Sequence, residues 1–342
     1  MKNSIIFKIN PKKPDLKKIK IAAQTIKEGK LVAFPTETVY GLGTDALNPD
    51  AVSKIFKIKK RPYNDPLIVH ISDKKDLYRL VREFPEEVKI LVNKFWPGPL
   101  TLVMKKSNIV PDIVTAGLDT VAIRMPKNQI ALSLIKFAET PISAPSANLF
   151  GKSSSTCAQH VIDDLNGKID IILDGGKTDI GLESTIIDTV HRPFRILRSG
   201  GITIEEIERL IGRVKLDSNY SDIIYSPGML KHHYSPKAKL ILVERNKCQI
   251  EKMKKLASKY KKQGKKIGIL VTSENKNKFN GFKTKIMGSV NNLRVCANNL
   301  FSILRDFDKE KVDIIITEGI NSKGLGLTIM DRLRKAAKEK II

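Results

Sequence analysis

Residues 34–43 read FPTETVYGLG, ten positions that hold two threonine hydroxyls, a tyrosine, two glycines and one charge. The apolar run KLVAF leads into them, so the stretch stands where a strand ends. There Thr36, Thr38 and Tyr40 can present hydroxyls, and Gly41 and Gly43 can let backbone approach a ligand. An ordinary β-turn with polar residues explains the same pattern.

Other stretches repeat the theme. KIKKRP sets Lys59 and Arg61 two apart just past a helix, either as solvated charges or as a clamp for phosphates. His70 closes the apolar PLIV run, as a structural histidine or as a ligand. Arg124 sits inside TVAIRMP, an otherwise apolar strand, where a guanidinium without a partner anion is costly. SAPSAN places Ser146 and Asn148 two apart, on one side of a strand. GLESTIID adds Ser184 and Thr185, and RILRSG adds Arg198 before paired glycines. Strand ends rich in hydroxyls, amides and arginines, with few carboxylates among them, suit a cavity for a polyphosphate and a small polar metabolite. The chain has no HExxH, no GxSxG and no clustered Cys/His ligands. Chemistry by positioning and electrostatic stabilisation of a phosphoryl group is therefore expected, rather than a protein nucleophile or a protein-held metal.

The elements that must position these residues follow from periodicity. Helices are expected at 16–29, 48–61, around 85–95 and at 128–139. A further helix at 203–212 carries a capping box of Thr203 and Glu206. Strands are expected at 31–35, 66–71, 100–105, 120–126, 141–145, 170–175, 184–190 and 194–198. Periodicity lapses over 213–237. From 238 onward, strands at 239–244, 266–271, 284–288 and 312–319 alternate with helices at 249–262, 291–307 and 327–340, the pattern of a parallel α/β sheet covered on both faces. The expected organisation is thus an α/β domain over 1–212, a linker over 213–237 and a smaller α/β domain over 238–342.

The composition, 41% hydrophobic and 28% charged, is that of a cored globular protein. No apolar stretch approaches the roughly 20 residues of a membrane span. Cys157, Cys248 and Cys296 are too scattered for a disulfide framework or a zinc site. A cytoplasmic protein is expected. The net charge is +25 and is uneven: residues 1–210 hold 32 basic and 24 acidic side chains, residues 211–342 hold 29 and 12. Lysine supplies 47 of the 61 basic residues, so the excess reads either as an RNA-contacting surface or as solvated lysine from a compositional bias.

Taken in order, FPTETVYGLG, KIKKRPYNDPLIVH, FWPGPLTLV, TVAIRMP, APSAN, GLESTIID, ILRSGGIT and SPGMLKHHYSP resemble the Sua5/YrdC family of threonylcarbamoyl-AMP synthases, in its two-domain Sua5 form. The resemblance implies a twisted open α/β sheet with a basic concavity, followed by a Rossmann-like domain. It implies formation of threonylcarbamoyl-AMP and pyrophosphate from L-threonine, bicarbonate and ATP, with Mg2+ carried on the ATP phosphates. The product would supply the tRNA threonylcarbamoyl-transferase machinery that modifies adenosine 37. Carried over by motif, Thr38, His70, Arg124, Ser146 and Ser184 are threonine-binding candidates. Lys59, Arg61, Asn148, Ser154, Arg198 and His233 are ATP-binding candidates, and Lys59, Arg61 and Arg124 the catalytic ones. SPGMLKHHYSP is expected to close as a lid, with His233 and Tyr234 on the nucleotide. The chain departs from the family pattern at Asp65, usually Asn, and at Phe150, Ser153, Ser155, Ser199 and Asp331. The rival expectation is a non-catalytic protein that holds double-stranded RNA or tRNA in the same concavity.

Overall fold

The computed structural model describes residues 3–217 and 234–342. These residues fall into two compact units, 3–150 with 154–217, and 151–153 with 234–342. Most of the expected linker, and His233 with it, lies outside the described residues. Its first part belongs to the first unit, because Lys215 N donates to Phe194 O at 2.8 Å and Asp217 N to Ile196 O at 3.0 Å, which adds a strand beyond residue 212.

The first unit is built on eleven strands among the described residues: β1 (Ile5–Lys8), β2 (Val32–Phe34), β3 (Gly41–Asp45), β4 (Ile68–His70), β5 (Leu100–Lys105), β6 (Thr120–Arg124), β7 (Ile142–Ser143), β8 (Ile171–Asp174), β9 (Thr185–Asp188), β10 (Arg195–Arg198) and β11 (Lys215–Leu216). They form one mixed sheet in the order β1-β8-β2-β3-β7-β4-β6-β5-β9-β10-β11. Its helices begin where side-chain caps allow. Asp15 caps Leu16–Lys27, Asn48 caps Pro49–Lys59, Asn128 caps Gln129–Ala138, and Thr203 with Glu206 forms the expected box before Ile204–Ile211.

Three apolar clusters divide the sheet. Helices Leu16–Lys27 and Gln129–Ala138 bury Ile19, Ile26, Ile130 and Leu134 around Phe34 and Ile142. Helix Pro49–Lys59 buries Val52, Ile55 and Phe56 against Val69, Leu102, Ile123, Ile187 and Ile196. The alternate positions of these central strands, Ile68, Val103, Ala122, Ile186 and Leu197, form a third, smaller cluster that contains no helical residue. The side chains of that strip are nonetheless buried.

Residues 41–45 are a strand, not the ligand-facing end of one. Phe34 pairs with Gly41 and Val32 with Gly43. A Cβ at Gly43 would lie 2.5 Å from Ile142 Cγ2 and 2.7 Å from Phe34 Cε1. The glycine makes room for the Phe34 ring, which corrects the expectation that Gly41 and Gly43 admit a ligand. Tyr40 is likewise structural: it is fully buried, its hydroxyl donates to Gly176 O at 2.7 Å, and burial raises its pKa.

The second unit holds five parallel strands among the described residues, β12 (Lys239–Val243), β13 (Ile267–Val271), β14 (Lys283–Ile286), β15 (Ile314–Glu318) and β16 (Glu339–Ile341), in the order β14-β13-β15-β12-β16. Helix Gln249–Lys262 has its expected bounds, and the unit is the expected Rossmann-like α/β fold. The last helix ends at Ala336 rather than continuing to 340, because Glu339–Ile341 pairs with β12 and closes that edge of the sheet. Tyr234, expected on the nucleotide, is buried here with its ring stacked 5.3 Å from Phe301 and 5.1 Å from the Arg332 guanidinium. No helix among the described residues is long and apolar enough to cross a membrane.

Candidate functional site

Sheet register aligns the candidates. His70 pairs with Ile142 on one side and with Arg124 on the other, Thr101 pairs with Ile186, and Ile186 pairs with Arg198. Because paired residues point to one face, His70, Arg124, Thr101 and Arg198 stand in a row on the same side as the strip without helical residues. An irregularity between Ile196 and Arg198 shifts the register of β10, so that Arg198 joins Leu197 on the side of that strip instead of following Ile196 to the other face.

At one end of the row Arg124 is 3% exposed. Its Nε donates to Gly98 O at 3.2 Å, and its Nη2 lies 2.7 Å from Glu37 Oε1, an ion pair without hydrogen-bond alignment. Glu37 also accepts from Lys127 N at 3.0 Å. The counter-charge that Arg124 requires is therefore already inside the protein. Thr38 is fully buried, and its hydroxyl lies 2.8 Å from that of Thr36. His70 packs edge-on against Phe34, and its pKa falls to about 3 through burial first and the Arg124 charge second. The ring is neutral at pH 7. The carbonyls of Ile142 and Ile68 lie near it, yet no described group meets Nδ1 with hydrogen-bond geometry.

At the other end three cations surround one carboxylate. Arg61 Nη2 lies 2.6 Å from Asp65 Oδ1, while its Nε donates to Asp65 O at 3.1 Å and its Nη2 to Pro66 O at 2.8 Å. Burial raises the Asp65 pKa, opposed by the charges of Arg61, Lys59 and Arg198. Lys59 is buried at a helix end and donates to Ser146 O at 2.5 Å and to Asn148 O. Arg198 donates to Ser184 O at 2.9 Å and to Ser184 Oγ at 3.1 Å, and Ser184 Oγ lies 2.7 Å from Thr101 Oγ1. Among the described residues Asp65 is the carboxylate set against these three cations, which carbonyls also hold, and charges in so dry a setting act strongly on an incoming anion. Ser154 donates to Glu183 Oε1 at 2.5 Å, so its hydroxyl serves a carboxylate rather than standing open to phosphate.

One stretch joins both ends. Ile180 N donates to Glu37 O at 2.8 Å and Gly181 N to Thr38 O at 3.1 Å; Glu183 then receives Ser154, and Ser184 receives Arg198. Sequence reasoning missed Glu37, Thr101 and Glu183, and its expectation of few carboxylates needs correcting, since Glu37, Asp65 and Glu183 are all buried here. A signal for Glu37 was present: it is the lone charge in FPTETVYGLG.

Residues 24–200 match the Sua5/YciO/YrdC family model, described as telomere recombination, and residues 202–338 match the C-terminal domain of threonylcarbamoyl-AMP synthase. A Pyrococcus abyssi relative named threonylcarbamoyl-AMP synthase is 48% identical over 330 residues, covering 95% of each chain. One from Bacillus subtilis with the same name is 46% identical over 325 residues, covering 94% of this chain and 93% of its own. The crystal structure of P. abyssi Sua5 complexed with L-threonine superposes with a TM-score of 0.94 at 46% identity, covering 99% of this chain and all of that one.

Proposed function

The chain belongs to the Sua5/YrdC family of threonylcarbamoyl-AMP synthases, and we propose that it makes threonylcarbamoyl-AMP and pyrophosphate from L-threonine, bicarbonate and ATP on the face of the first unit's sheet that carries this row. The observation that carries this reading is the row His70–Arg124–Thr101–Arg198, which puts a neutral imidazole and an arginine at one end and a cation cluster at the other.

The threonine carboxylate competes with Glu37 for Arg124, whose Nη2 lacks an aligned acceptor. His70 Nδ1 offers one hydrogen bond to the amine or the side-chain hydroxyl, and Thr38 offers another. The amine and bicarbonate condense to a carbamate with loss of water. A carbamate oxygen attacks the α-phosphorus of ATP, the bond to the bridging oxygen breaks, and pyrophosphate leaves with the electron pair. Lys59, Arg61 and Arg198 offset the charge that builds on the α-phosphate and the leaving group. Ser184 and Asn148 position this cluster, Ser184 through Arg198 and Asn148 through its carbonyl on Lys59. Mg2+ would arrive with ATP and would help offset the charge of its phosphates beside Lys59, Arg61 and Arg198. The product would pass to the tRNA threonylcarbamoyl-transferase machinery. A protein that only held RNA would have no use for a buried neutral His70 beside Arg124.

Incubation of the purified chain with MgATP, labelled bicarbonate and each amino acid in turn tests this reading. Pyrophosphate release should require threonine and carry label into an adenylate. Serine should be about tenfold or more poorer, since a lost methyl contact is worth about 1–3 kcal/mol. Release that ignores the amino acid would overturn the assignment.

A further inference from the structure

At the carboxyl ends of β12, β13 and β15 the second unit leaves a cavity of about 390 Å3, lined among others by Arg245, Gln249, Thr272, Asn275, Glu318 and Asn321. Strand order explains its place. From β12 the chain crosses past β15 to reach β13, and from β15 it crosses past β12 to reach β16. Two neighbouring strands thus send their connections in opposite directions, and in open parallel sheets a ligand crevice forms outside the carboxyl ends at such a point.

The crevice is built from fixed parts. Gly319 N donates to Val243 O at 2.7 Å, tying the two diverging strand ends together. The buried Gln249 amide donates to Val243 O at 2.8 Å and to Gly319 O at 2.9 Å. Both its donors are used there, so Nε2 is assigned by its surroundings, and Oε1 faces away with no donor among the described residues. Glu318 is 3% exposed; Oε2 accepts from Asn275 Nδ2 at 2.6 Å and Oε1 from Thr272 N. A carboxylate accepts about four hydrogen bonds, so roughly half its capacity remains. Arg245 is exposed at the cavity and has no ion-pair partner among the described residues.

We propose that this cavity binds the ribose phosphate portion of a ribonucleotide, with the phosphate on Arg245 and the ribose hydroxyls donating to Glu318 and Gln249 Oε1. The lining asks for that pairing of groups. Spare acceptors deep in the crevice match a ligand with hydroxyl donors, and an exposed guanidinium with no ion-pair partner among the described residues matches an anion. An apolar ligand would satisfy neither. A bare divalent cation would find two carboxylates, Glu318 and Glu274, whose oxygens already accept hydrogen bonds, from Thr272 N and Asn275 and from Ser289 and Val290 N.

Calorimetric titration of the full chain with AMP tests this site independently of the reaction. In Arg245→Ala, one AMP-binding event should weaken about tenfold, the effect of losing a charge-assisted contact. Threonine-dependent pyrophosphate release should stay unchanged in that variant. On the wild-type chain, 2′,3′-dideoxy-AMP should lose about tenfold at the same event, since the ribose donors are missing. Superimposable AMP isotherms for wild type and Arg245→Ala would overturn the site. Equal binding of AMP and its dideoxy analogue at that event would overturn the ribose contact with Glu318.

Discussion

The two units gather polar groups over a sheet by opposite means. In the first unit the groups stand at or next to strand ends on a mixed sheet, in a row that crosses β4, β6, β5, β9 and β10, and they are buried. Their cations are held by internal carboxylates or carbonyls, so the same contacts that make the site also hold the fold. In the second unit the groups lie beyond the carboxyl edge of a parallel sheet, where the chain has finished its ladder and is free to diverge. There the one arginine is exposed and carries no structural duty. Charge in the first unit should therefore be inseparable from stability, and charge in the second should be separable.

The sharpest way to break that comparison is Arg124→Met. It leaves Glu37 buried and unpaired, so stability should fall by about 3–5 kcal/mol in denaturant unfolding. The kcat/KM for threonine should fall about 100-fold as the carboxylate contact is lost. Adding Glu37→Gln should return most of the stability and none of the activity. A stable, active single variant would mean that Arg124 bears neither load.

A smaller effect comes from acid. His70 binds its proton only near pH 3 when folded, against about 6.5 for a free histidine. The unfolded chain takes up that proton first, so stability is lost as pH falls below about 6.5, reaching about 2 kcal/mol by pH 5. His70→Leu should flatten this slope, which unfolding midpoints at pH 7 and pH 5 would measure. Parallel slopes in the two proteins would place a charged histidine in the folded state.

The smallest expected effect completes the contrast. Arg245→Ala should change unfolding stability by no more than about 0.5 kcal/mol, as exposed substitutions do. A loss near that of Arg124→Met would show that the second crevice is built like the first.

What could be read from the residues alone was what repeats along the chain. Helix Gln249–Lys262 and strand Leu100–Lys105 announce themselves through local periodicity, and Thr203 with Glu206 declares a helix start within four residues. What stayed hidden depends on partners distant in sequence. Gly43 reads as a ligand approach until the Phe34 ring and Ile142 are placed against it. Arg124 reads as waiting for a substrate anion, because its carboxylate lies 87 positions earlier. Residues 339–341 continue a helical pattern, and only the free edge of β12 turns them into a strand. The candidate residues were legible as a set. Their division into a threonine end and a phosphate end came by resemblance, and the internal counter-ions came from neither.

The stretch from Ile180 to Ser184 has a genetic consequence. Its leading amides brace the backbone beneath Glu37 and Thr38, and its trailing residues brace Ser154 and Arg198. On the proposed assignment of the two ends, a lesion anywhere in it would blur both together, so alleles that uncouple amino-acid recognition from nucleotide recognition would have to be sought elsewhere. Arg124 and Arg61, each anchored outside that shared peptide, are the places to look.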